Sequence, residues 1–286
     1  MKIAVIGAGT IGLSWATLFA AHGHDVRISD PRPDLAEALG ELIGRVHIAE
    51  SVTEAVRDAD VVQENGPERV EFKRDLFARL VAEAPEHALL FSSSSAIPSS
   101  EFTRDIDASR VLIGHPFNPP HVMPLVEVVP NPRTKEETIG KAVEFYRSLG
   151  RVPVVERKEV PGFVGNRLQN ALQREAIHLV QEGVVDPAGL DEVVLNSLGL
   201  RWAAVGPFLG SHLGGGPGGY RHLTTHIGAS MHRMTLGRPD PSPEATERVI
   251  EAVEKAYGGR EYTDLAADRD RRQFAILAAR QQGDEE

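Results

Sequence analysis

The chain contains no cysteine, which excludes disulfide cross-links, thiolate nucleophiles and Cys-based zinc sites, and fits a protein of the cytoplasm. Positive charge is short: 31 Lys and Arg face 41 Asp and Glu, a formal net charge of −10. The electrostatic footprint of a nucleic-acid binder is therefore missing, no nucleic-acid motif appears, and any phosphate recognition must be local. Long apolar runs are missing from the start of the chain as well. Met1-Lys2-Ile3-Ala4-Val5-Ile6 meets Gly7 too early to serve as a signal peptide or a membrane span, so neither is expected. No Gly-x-Ser-x-Gly elbow is present, which argues against a nucleophilic serine.

What is present alternates. Ile3–Ile6, Asp25–Ser29, Arg45–Ile48, Asp60–Gln63, Ala88–Ser92, Val111–Gly114, Leu125–Val129 and Arg151–Val155 read as strands. Between or after them, Thr10–Ala21, Glu68–Ala84 and Lys135–Leu149 read as helices. That order predicts an α/β fold, a doubly wound, mostly parallel sheet covered on both faces. After Pro161-Gly162 the pattern changes to helical spacing alone, over Phe163–Glu182, from near Pro187, over Ser242–Tyr257 and over Asp264–Gln281. The 286 residues are enough for two domains, with the boundary expected near 159: residues 1–158 and an all-helical 159–286. The run Gly214-Gly215-Gly216-Pro217-Gly218-Gly219 reads as a turn or hinge before a helix.

Gly7-Ala8-Gly9-Thr10-Ile11-Gly12 sits between the first strand and the first helix, where a dinucleotide fingerprint belongs. Gly7 permits the tight turn, Gly9 lets backbone approach pyrophosphate, and Gly12 lets helix and strand pack closely. Amides at the helix start, those of Thr10 and Ile11 among them, then face the anion. Asp30 ends the second strand, placed to accept the ribose hydroxyls of NAD and repel the 2′-phosphate of NADP, although Arg27 and Arg32 nearby temper that preference. A glycine turn that binds nothing has the same three glycines, and FAD uses a similar turn, but no second flavin motif is evident.

His115 follows an apolar strand and precedes a proline-rich turn, at the carboxyl edge of the sheet where open α/β proteins bind their ligands. Glu127 lies on the next strand. If the strands are neighbours, the carboxylate holds one imidazole nitrogen and the other faces substrate, a device for proton exchange. A plain structural His–Glu hydrogen bond fits the spacing too. Ser92 to Ser95 close the fifth strand, as ligand donors or as ordinary caps and turn residues.

The fingerprint, the four serines, the His115–Glu127 segment and Pro161-Gly162-Phe163-Val164-Gly165-Asn166-Arg167 together resemble the 3-hydroxyacyl-CoA dehydrogenase superfamily, over nearly the whole chain. The resemblance implies a Rossmann-type domain followed by a helical domain like the C-terminal part of 6-phosphogluconate dehydrogenase. It implies NAD as cofactor, with His115 as proton acceptor or donor, Glu127 as its orienting partner, and Ser94 and Asn166 as donors at the reacting oxygen. It also marks Glu68, Lys73 and Asn118 as cofactor contacts; without it Glu68 and Lys73 read as first-turn helix charges. A homodimer built through the helical half is implied, with a small-molecule substrate and neither nucleic acid nor membrane as partner.

Acyl-CoA members of the superfamily carry a long helical hairpin after the second strand; here only Pro31 to Gly44 separates Asp30 from Arg45. Gly199 to Phe208 and the stretch ending Tyr220-Arg221-His222 look more like the gulonate 3-dehydrogenase (lambda-crystallin) and carnitine dehydrogenase branches. That likeness implies Arg201 as the partner of a substrate carboxylate, a role its bidentate fork suits; a surface ion pair is the alternative. The expected activity is an NAD-dependent oxidoreduction of a 3-hydroxy group on a small acid. Alternatives are a hydroxyacyl-CoA dehydrogenase, a polyketide-type ketoreductase, or a crystallin-like protein that binds NAD without chemistry. His212, His222, His226 and His232 are expected to be ordinary helix or cleft residues, since no third ligand accompanies the His222–His226 pair and no metal is expected.

Overall fold

The computed structural model describes residues 1–228 and 233–284, so His232 lies outside the described residues. The chain divides into two compact units, Met1–Leu168 and Gln169–Glu286.

In the first unit eight strands form one sheet: β1 Lys2–Ile6, β2 Asp25–Ser29, β3 His47–Ile48, β4 Val61–Glu64, β5 Leu89–Ser92, β6 Val111–Pro116, β7 Leu125–Pro130 and β8 Val152–Val155. Their order is β3-β2-β1-β4-β5-β6-β7-β8, parallel except for the antiparallel β6–β7 pair. β4, β5 and β6 are buried along their whole length: each opens on an apolar stretch and carries its buried polar residues, Gln63 and Glu64, Ser92 and His115, toward its carboxyl end.

Alternation along the strands sorts the core into two layers. Ile3, Val5, Ile28 and Phe91 pack on one face with Trp15 and Phe19 of α1 (Thr10–Ala21), Leu35 and Leu39 of α2 (Leu35–Leu39) and Phe145 and Tyr146 of α6 (Glu136–Ser148), while α3 (Val52–Val56), α4 (Val70–Glu83) and α5 (Ser99–Phe102) come between α2 and α6 in the chain. Ala4, Val62, Leu90 and Ile113 face the other way, against Val56 of α3, Phe77 and Leu80 of α4 and Phe102 of α5. The doubly wound sheet expected from the sequence is thus present.

Three details differ from the expected elements. β3 is shorter, because the amides of Arg45 and Val46 turn back to Leu42 O and leave only His47 and Ile48 for the ladder. β6 runs on through Pro116, so His115 is a strand residue and not the first residue after one. α4 starts at Val70, which leaves Glu68 in the loop before the helix.

The two units meet inside α7 (Phe163–Gln181), later than the boundary expected near 159. The first turn of α7 belongs with the sheet: Phe163 is fully buried among the side chains of the second core layer. The second unit is helical throughout its described elements: α8 Pro187–Leu195, α9 Leu198–Ala204, α10 Pro207–Gly214, α11 Gly219–His222, α12 Pro243–Tyr257 and α13 Tyr262–Asp284. The glycine run forms a 3-10 turn at Gly216–Gly218 that leads into α11, and Ser242 caps α12. Among the described residues no single helix is long and apolar enough to cross a membrane; one bent pair, Pro187–Ala204 with Pro207–Gly214, passes by length and composition but turns through 97°.

Candidate active site

The parallel strands deliver their carboxyl ends to one edge of the sheet, and the expected nucleotide residues gather there. Gly7 has φ +97°, a conformation open to glycine, and its own amide bonds Ser29 O at 2.8 Å. A Cβ on Gly12 would lie 1.9 Å from Gly7 O, so helix and turn touch through hydrogen alone. A Cβ on Gly9 would meet nothing within 4 Å, which leaves open the space a pyrophosphate would take. Gly9 is also the N-cap of α1, with no side chain over the first amides and no acidic residue in the first turn. Those amides are free for an anion.

Asp30 accepts the amides of Ala8 (2.6 Å) and Arg32 (2.9 Å), one on each oxygen, and a carboxylate retains acceptor capacity beyond two bonds. The arginines that tempered the choice of cofactor are already engaged. Arg32 forms a fork with Asp34 at 2.8 Å through Nε and Nη2, and Arg27 pairs with Asp58. The residues fit NAD: Asp30 keeps acceptor capacity that ribose hydroxyls would use, and Arg27 and Arg32 both pair with other carboxylates.

Next to this end lies a buried ionic layer. Lys73, 1% exposed, sits 2.9 Å from Glu64, which is fully buried at the end of β4. A buried ammonium needs such a partner. Glu64 also takes the hydroxyl of Ser92 and the amide of Gly66. Glu68 lies above, 3.7 Å from Lys73 Nζ, and its Oε1 gathers the Ser94 hydroxyl (2.7 Å) and the amides of Ser95, Ala96 and Ile97. Burial acts to raise the Glu68 pKa, but the Ser94 hydroxyl, the Ala96 and Ile97 amides and Lys73 outweigh it and hold the carboxyl low. So Glu68 and Ser94 share one site, whereas Lys73, enclosed under Glu68, is not open for the direct cofactor contact expected of it. Asn118 is exposed, in the loop after β6.

His115 and Glu127 are direct partners in the antiparallel β6–β7 register, with Nδ1 2.7 Å from Oε2. The imidazole lies between the rings of Phe117 and Phe163, at centroid distances of 5.6 and 5.5 Å. Glu127 Oε1 accepts the amides of Val164 (3.0 Å) and Gly165 (2.7 Å) from the start of α7. Gly162 (φ +78°) and Phe163 (φ +49°) are both left-handed, and this turn aims the two amides at the carboxylate. Burial favours the neutral acid, but the hydrogen bonds from His115 and Gly165, with Glu156, hold Glu127 below the usual carboxylate range. Asn166 follows one residue on and donates Nδ2 to Ser95 O at 2.7 Å, which ties the α7 start to the serine turn.

Sequence reasoning missed Glu156, a buried acid just past β8 that accepts the Val164 amide at 2.8 Å. Its one sequence signal is position: an acid at the carboxyl end of a strand, close to Pro161-Gly162. Glu64 was likewise missed. Arg201, in α9 of the helical unit, is exposed.

Comparison with known proteins agrees with this geometry. The family described as 3-hydroxyacyl-CoA dehydrogenase, NAD binding domain, matches residues 2–43 and 35–160, and the C-terminal domain of the same family matches 162–252. A Gibberella moniliformis protein named 3-hydroxyacyl-CoA dehydrogenase is 40% identical, over 98% of this chain and 94% of its own. An L-carnitine dehydrogenase of Streptomyces griseus is 39% identical, over 97% and 89%. Among solved structures, 5-formyl-3-hydroxy-2-methylpyridine 4-carboxylic acid 5-dehydrogenase, an NAD+-dependent dismutase, superposes with a TM-score of 0.79 at 29% identity over 98% of both chains. The chain belongs to the 3-hydroxyacyl-CoA dehydrogenase family, and is an NAD-dependent oxidoreductase that acts on a CH–OH group.

Proposed function

We propose that the protein interconverts a 3-hydroxy and a 3-keto group on a small carboxylate-bearing substrate of the carnitine or gulonate kind. The observation that carries this reading is the 2.7 Å contact of His115 Nδ1 with Glu127. With Nδ1–H donating to the ionised carboxylate, the ring keeps Nε2 as the acceptor for a substrate proton.

In the oxidative direction His115 Nε2 takes the hydroxyl proton, and Glu127, held ionised, stabilises the imidazolium that forms. When bound, NAD accepts the hydride from carbon 3. Asn166 offers the developing carbonyl oxygen a second amide hydrogen beyond the one given to Ser95, and Ser94 joins it by swinging its single hydroxyl proton from Glu68 to that oxygen when substrate is bound. Gly7, Gly9, Thr10, Ile11 and Gly12 hold the pyrophosphate, Asp30 the ribose hydroxyls, and Ser94, Glu68 and Asn118 the nicotinamide end. Lys73 supports that end through Glu68. Arg201 pairs with the substrate carboxylate.

The short connection from Ser29 to His47, which holds only α2 and a 3-10 turn, supports a small acid over a CoA thioester, as does the kinship with L-carnitine dehydrogenases. The Gibberella protein favours the second reading, a 3-hydroxyacyl-CoA dehydrogenase. The working form is a cytoplasmic homodimer, with residues 1–158 as the NAD domain and 159–286 as the substrate and dimer domain.

A substrate panel read by NADH formation tests this: L-carnitine, L-gulonate, 3-hydroxybutyrate and 3-hydroxybutyryl-CoA. Turnover confined to the thioester would remove the small-acid reading. His115→Ala is expected to lower kcat by about 10² to 10⁴ with NADH affinity kept, the range for losing a general base. Wild-type rates in that variant would remove the imidazole from the mechanism.

A further inference from the structure

Glu156 is 6% exposed, and its amide continues the β8 ladder to Val128 O. Its Oε1 and Glu127 Oε1 both accept the single N–H of Val164, at 2.8 and 3.0 Å. Two carboxyl oxygens that converge on one amide are neighbours, and two ionised carboxylates so placed repel. The second oxygen of Glu156 is enclosed and has no hydrogen-bond partner among the described residues, which penalises the ionised form further. The groups that bear on Glu156 are Glu127 from β7, His115 behind Glu127 on β6, and the α7 amides. On its own segment lie Arg157, Lys158 and Glu159, the last engaged with Ser99 and Ser100, and none of the three ion-pairs with it.

We propose that Glu156 is a positioning residue of the proton-transfer site: neutral, it hydrogen-bonds to Glu127, and ionised, it places a second negative charge behind the His115–Glu127 pair. The imidazole–carboxyl chain then titrates as three coupled groups rather than two. Burial, with the hydrogen bond to Glu127, pushes the Glu156 pKa up to about 7, inside the working range of a dehydrogenase. Below that pH Glu127 alone balances the imidazolium. Above it the added negative charge stabilises the imidazolium, the form that gives a proton in the reductive direction.

This inference rests on His115 as the proton carrier. The test is the pH dependence of kcat/KM in both directions for the full-length wild type and Glu156→Gln, which keeps an amide to bond Glu127 and Val164 but cannot ionise. The acid limb of oxidation and the alkaline limb of reduction are both expected to move to lower pH, by on the order of one unit for the loss of one nearby charge. Profiles that superimpose on the wild type would overturn the proposal. A second measurement is made on the wild type itself: a protonated-carboxyl infrared band should be lost near pH 7 as buried Glu156 ionises, and the absence of such a band would overturn the proposal too. If His115→Ala keeps full turnover the proton-carrier reading itself fails, whereas a dead His115→Ala with an unshifted Glu156→Gln defeats the role of Glu156 alone.

Discussion

Gly9 and Gly12 belong to one motif and differ in what a methyl group would meet. At Gly12 a Cβ falls 1.9 Å from the carbonyl oxygen of Gly7, backbone against backbone, so the helix must move off the strand. Gly12→Ala is expected to cost about 2 kcal/mol or more, as overpacking does, and to lower Tm by about 5 °C. At Gly9 the same Cβ meets nothing within 4 Å, so Gly9→Ala should leave Tm within about 1 °C and yet lower NADH affinity at least about tenfold, because the methyl occupies the anion's place. Thermal melts and NADH fluorescence titrations separate the two variants. A Gly9→Ala protein that binds NADH normally would show that the open space is not the pyrophosphate site.

Elements, not single residues, bring the proton-handling groups together. β6 and β7 set His115 opposite Glu127, and the α7 start supplies the amides that hold the carboxylate. A Cβ on Gly165 would lie 2.4 Å from the Phe117 ring, and that ring stands 5.6 Å from the imidazole. The ring can swing away, so Gly165→Ala is expected to change Tm little and to lower kcat about tenfold by disturbing the imidazole's seat. A variant with unchanged kcat would mean that Phe117 does not fix His115. How much of this was legible in sequence follows from the same geometry. His115 and Glu127 stood on consecutive strands, so a short connection made their pairing readable. Glu156 was not readable: it meets Glu127 through β8, a strand that joins the sheet beside β7 only after α6, and a lone acid after a strand carries no periodic signal. Lys73 illustrates the opposite fault. The resemblance marked it as a cofactor contact and its place read as a first-turn helix charge, while its burial depends on Glu64, which no local pattern points to. The short β3 was lost to a turn whose amides return to Leu42.

At the scale of the whole molecule, the two units differ in how far they bury their own apolar residues. The first encloses aromatic and aliphatic side chains on both faces of its sheet, as the alternating pattern forecast. The helical spacing of the second was equally readable, while a second copy as the cover for its apolar faces came from the family resemblance and not from the spacing, since one chain's pattern does not say what covers an apolar face. α8, α9 and α10 contain no buried residue, and Leu195, Leu200, Trp202, Phe208, Leu209 and Leu213 are all exposed. Patches of that kind mark an interaction surface. Each such side chain, once covered, contributes about 1.5–3 kcal/mol, so a second copy that covers several of them suffices for a stable dimer. Light scattering after size exclusion is therefore expected to give twice the 31.1 kDa chain mass at micromolar concentration. Phe208→Asp, which puts a charge where the ring is 77% exposed, should shift the mass toward one chain. A wild type that elutes as a monomer would refute the dimer, and a dimer untouched by Phe208→Asp would move the interface to another face of the helical unit.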